Sequence, residues 1–109
     1  SFLSIADAFI VTLGRDASTF SVPSKIYAYL TIGKPILGSM PIENLGSKKI
    51  KKLKVGYVSM PDAIKPFINN CRKIVKNKKL RTEFSNNSKN YLKTRKYSLI
   101  KIIKTIKKL

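Results

Sequence analysis

The stretch that most constrains this chain runs from Phe20 to Met40, FSVPSKIYAYLTIGKPILGSM, which sets a loop, a short helix and a buried strand back to back. Pro23 fixes φ and Ser24 is a good N-cap, so a helix is predicted from about Lys25. Ile26, Tyr29 and Leu30 recur at i, i+3 and i+4 and give that helix one apolar face. Gly33 ends it where a residue able to take positive φ is needed, and Pro35-Ile36-Leu37 reads as a strand entering a sheet. The exposed N–H groups at the Ser24 end, reinforced by the helix dipole, suit a phosphate-bearing ligand.

The flanking segments extend the same alternation. Ala8-Phe9-Ile10-Val11-Thr12-Leu13 is almost continuously apolar, the pattern of a strand covered on both faces in a parallel sheet. A polar loop, Gly14 to Thr19, follows at the carboxyl end of that strand, the edge where open α/β sheets bind ligands. Glu43 to Lys54 reads as a short surface helix and Val55 to Ser59 as a third strand at the sheet edge. Asp62 is the expected cap of the next helix, with Pro66 in its first turn and Phe67, Cys71 and Ile74 as its buried stripe. Cys71 on that stripe reads as a small core residue. Asn77 caps a further helix to about Lys93, with Leu80, Phe84 and Tyr91 inward. Ser98 is expected to cap a separate last helix, whose Leu99, Ile102, Ile103, Ile106 and Leu109 form a stripe that docks on the protein's own surface.

Composition narrows the chemistry. The chain has 109 residues and no His, so Ser-His, Cys-His and His-metal chemistry cannot be built from it. The single Cys excludes an internal disulfide, and no apolar run approaches the roughly 18 residues of a membrane span. A net charge of +18 is unevenly spread: residues 1–42 carry +1 and residues 43–109 carry +17. Such a half suits either a lysine-rich solvated helical surface or an anionic partner, nucleic acid or membrane. Four arginines against nineteen lysines, with no recognised nucleic-acid motif, argue against nucleic acid.

VPSKIYAYLTIGKPIL, with ADAFIVTL before it and VGYVSMPDA after it, resembles the second half of the C-terminal domain of nucleotide-sugar glycosyltransferases. These are the GT-B enzymes of retaining family 4, in the bacterial surface-polysaccharide branch that carries a PSK–Y–GKP pattern. The resemblance covers nearly all of the chain. It implies an α/β fold, part of a Rossmann-like doubly wound parallel sheet of about three strands with helices on both faces and a helical C-terminal segment. Residues 1–109 would then be the C-terminal half of a nucleotide-sugar-binding domain, a fragment whose acceptor-binding N-terminal domain lies elsewhere. The implied partners are a nucleotide-diphosphate sugar donor and a glycan or lipid-linked acceptor, with no metal or other cofactor. The implied location is cytoplasmic, with peripheral attachment at the inner face of the plasma membrane left open.

Sugar transfer from such a donor needs stabilisation of the leaving diphosphate, a grip on nucleoside and sugar, and an oriented acceptor. The groups suited to the diphosphate are on Ser21, Val22, Ser24 and Lys25: backbone N–H groups, the Ser24 hydroxyl and the Lys25 ammonium. Lys25 stands at the positive end of a helix dipole, a local penalty that an anion would relieve. Donor-sugar candidates are Arg15, Asp16, Ser18, Thr19 and Phe20, on the loop at the sheet's carboxyl edge. Family members typically carry two glutamates eight apart for donor sugar and ribose, and those positions are Phe20 and Ala28 here. Neither accepts a hydrogen bond from a hydroxyl, so either Ser18, Thr19 and Ser21 substitute or activity is lost. The alternative class is a basic module binding nucleic acid or an anionic membrane without catalysis.

Overall fold

The structure, a computed structural model, describes residues 8–14 and 24–108, with side chains at 8–14 and 26–108. Along the chain come β1 (Phe9–Thr12), α1 (Ser24–Ile32), β2 (Ile36–Ser39), α2 (Leu45–Leu53), β3 (Gly56–Ser59), α3 (Ile64–Lys76) and α4 (Lys78–Lys107). The three strands form one sheet in the order β1-β2-β3, and both pairings are parallel. The expected strands at 8–13, 35–39 and 55–59 are therefore present, each within a residue or two of its predicted ends.

Apolar residues on both faces of these short strands explain why helices cover both. On one face Val11 and Ile36 pack with Ile26 and Leu30 of α1 and Ile50 of α2. Across the sheet Ala8 and Leu37 pack with Ile74 of α3 and Phe84 of α4. Ile36 and Leu37 are consecutive and both fully buried, one to each face, as the two-residue strand repeat requires. Gly56 is paired with Ile36, and a Cβ there would fall on the Ile36 carbonyl, so the close β2–β3 approach requires glycine.

Local signals set most element ends. Gly33 takes φ 85° and its N–H returns to the Tyr29 carbonyl at 3.0 Å, closing α1 as expected. Asn44 caps α2, its Oδ1 accepting from the Gly46 N–H at 2.8 Å. The Asn77 cap is present as predicted, accepting from Leu80 N–H at 3.0 Å. Arg81 Nη1 donates to the Ile74 and Val75 carbonyls at 2.6 and 2.7 Å and so closes the C-terminus of α3. Asn87 Nδ2 donates to the Lys54 carbonyl at 2.7 Å, tying α4 to the end of α2.

Three expectations are corrected. The cap position of α3 is Ala63, with no side-chain hydrogen bond, rather than Asp62. Ser98 caps nothing: α4 is one helix of 30 residues, and the described helices number four rather than five. Its sequence from 78 to 107 holds no Gly or Pro, so the polar run Lys93 to Ser98 gives no reason to stop. Finally, the terminal stripe is not docked. Leu99, Ile102, Ile103 and Ile106 are 52–61% exposed, because a helix of about 45 Å outruns the small body beneath it.

Candidate functional site at the carboxyl edge of the sheet

Parallel strands deliver all their carboxyl ends to one edge, and each following helix starts there. The register places Thr12, Ser39 and Ser59 side by side as the last residues of β1, β2 and β3. By the strand alternation these hydroxyls lie on the face that carries Leu37 and Tyr57. Burial is graded along the row: Thr12 is exposed, Ser39 half-buried and Ser59 5% exposed. Ser59 Oγ is fully enclosed and has no hydrogen-bond partner among the described residues. A buried hydroxyl left unpaired costs about 1–3 kcal/mol, a penalty that a ligand or an ordered water removes.

Helix starts frame the row. Ser24 and Lys25 are the first two residues of α1, so the backbone brings both predicted phosphate-binding positions to this edge. Ala28 lies one turn further on and is exposed. Arg15, Asp16, Ser18, Thr19, Phe20, Ser21 and Val22 fall outside the described residues. At the far side, the turn into α3 is held by backbone bonds, Ala63 N–H to the Met60 carbonyl and Ile64 N–H to the Asp62 carbonyl.

Two carboxylates reach the edge that sequence reasoning had set aside as a cap and a lysine-flanked helical residue. Glu43 lies in the turn after β2 and Asp62 in the turn after β3, both exposed. The hydroxyl row was also missed; its signal was the matching strand ends Thr12, Ser39 and Ser59, visible once the three strands are aligned as parallel. Among the described residues no group of three His, Cys, Asp or Glu gathers to hold a metal ion, and no helix is long and apolar enough to cross a membrane. The arrangement offers the Thr12 and Ser39 hydroxyls and the first-turn N–H groups of α1 to a polar ligand, beside the exposed Glu43 and Asp62. Comparison with protein-family models, curated proteins and solved structures finds no match to this chain.

Proposed function

We propose that this chain is the donor-side portion of a glycosyltransferase of the GT-B type, moving a sugar from a nucleotide-diphosphate sugar to a glycan or lipid-linked acceptor in surface-polysaccharide assembly. The observation that carries the reading is the parallel β1–α1–β2 unit, which starts α1 at Ser24 and Lys25 on the same edge as the Thr12–Ser39–Ser59 row. In this reading the first-turn N–H groups of α1 and the Ser24 hydroxyl bind the diphosphate, and the Lys25 ammonium offsets its charge as it leaves. The same reading assigns Ser21 and Val22 to the diphosphate and Arg15, Asp16, Ser18, Thr19 and Phe20 to the donor sugar. Ala28 occupies the usual ribose-binding position and leaves that contact to neighbouring hydroxyls. Acceptor orientation belongs to a further domain.

The direct test is Lys25→Ala in the full-length enzyme. Loss of one charge-assisted contact should weaken a nucleoside diphosphate by about 1.5–3 kcal/mol and leave the parent nucleoside nearly unchanged. Equal weakening of both ligands, measured by calorimetry, would make Lys25 a bystander.

A further inference from the structure

At the opposite edge of the sheet, Gly33, Lys34 and Pro35 lead into β2 while the first three turns of α4 pass in front of them. Between them lies an open hollow of about 410 Å³. Its walls gather four cations, Lys34, Lys78, Arg81 and Lys89, beside Thr82 and Ser85, and no carboxylate is among the described lining residues.

Three features separate this hollow from a solvated lysine surface. Arg81 is anchored by its bonds to the Ile74 and Val75 carbonyls, so its charge is fixed in the wall before any ligand arrives. The floor is the buried Gly33, where a side chain would stand 3.4 Å from Ser85 Oγ and 3.8 Å from Lys89 Cε. Lys78 and Lys79 open α4, whose first turn has no acidic residue, so like charges crowd the positive end of a helix dipole. An anion relieves that penalty.

We infer that this hollow binds a compact anion carrying two or more closely spaced phosphates, at a site separate from the carboxyl edge. The number of cations sets the charge. Lys78 and Lys89 are separated by roughly 16 Å along α4, at 1.5 Å per residue, and with Lys34 and Arg81 between the same walls an anion of two or more phosphates meets the four cations better than a single phosphate does. The phosphates can be soluble or belong to a lipid headgroup, since the recognising chemistry is the same.

The test is a calorimetric titration of the protein with tripolyphosphate at about 150 mM salt, where weak surface attraction is screened. Arg81 also closes α3, so the lysines are the cleaner targets. One saturable site is expected, with affinity reduced about tenfold or more in the Lys78→Ala/Lys89→Ala double variant. A Lys101→Ala/Lys104→Ala double variant removes the same charge from the exposed end of α4 and should change affinity by less than about twofold. No saturable binding, or equal weakening in both doubles, overturns the site. Vesicles bearing a bisphosphorylated inositol headgroup decide the source. Displacement of tripolyphosphate that depends on Lys78 and Lys89 assigns the site to a lipid, and binding without displacement assigns it to a soluble ligand. The carboxyl-edge reading is untouched by either result, because Lys25 takes no part.

Discussion

Lys49 stands between two tyrosine rings, its Nζ 5.2 Å from the centre of Tyr27 and 5.0 Å from that of Tyr91, while the Arg95 guanidinium lies 5.3 Å from Tyr27. One cationic cluster thereby joins α1, α2 and α4. The hydrogen bond to Tyr91 raises the Lys49 pKa above its ordinary 10.5, and the same bond lowers the Tyr91 hydroxyl below its ordinary 10.0. The signs follow from linkage. The Tyr91 contribution is complete above its unfolded value and is lost as pH falls through the depressed folded one. The Lys49 contribution is complete below its unfolded value and is lost as pH rises through the raised folded one. The pair is therefore strongest in an alkaline window that opens near pH 10 and closes above 10.5. In an ultraviolet titration Tyr91 should ionise below its ordinary 10.0, and Lys49→Met should raise its midpoint. An unchanged titration curve in the variant would dissolve the pair. Residue-scale sites were only partly legible beforehand. Ser24 and Lys25 announced themselves through Pro23 and the apolar spacing that follows. Ser59 did not, because its interest lies in being buried without a partner among the described residues, which depends on how the turn after β3 packs.

At the scale of elements, capping residues give paired predictions. Asn77→Ala removes the bond to Leu80 N–H and should cost about 1 kcal/mol in denaturant unfolding. Ser98→Ala, inside a continuous helix, should be neutral or stabilising by about 0.5 kcal/mol, whereas loss of a true cap there would cost about as much as at Asn77. Gly56→Ala should cost about 3 kcal/mol or more, since the added methyl meets the Ile36 carbonyl and forces β3 away from β2. An effect below about 1 kcal/mol would mean that this strand pair is looser than described. Strands and early helices were legible because their signals are local: an apolar run, a proline, a glycine at positive φ. The Ser98 boundary failed because a serine after polar residues looks like a cap, yet only a competing partner or a breaker can end a helix. Docking of the Leu99–Ile106 stripe failed for another reason. Periodicity reports an apolar face and says nothing of what lies opposite it.

The whole molecule is a small two-sided sheet with a long helix running past it, 54 Å in its greatest dimension. Ile102 and Ile106 are 55% and 61% exposed on that overhang. Ile102→Lys with Ile106→Lys should leave unfolding free energy within about 0.5 kcal/mol of the parent, and a loss of several kcal/mol would place the stripe in a core. The two proposed sites lie at opposite edges of the sheet, the donor site at the carboxyl ends of the strands. Neither His nor a metal-holding cluster stands there among the described residues. The measurement that bears most directly on this account is a titration of residues 1–109 with a panel of nucleotide sugars, nucleoside diphosphates and nucleosides, beside an assay for released nucleotide. The predicted result is selective binding of the diphosphate-bearing ligands at about millimolar affinity, equivalent to about 4 kcal/mol, with no turnover. Equal binding of nucleosides and their diphosphates, or release of nucleotide by this chain alone, would contradict it.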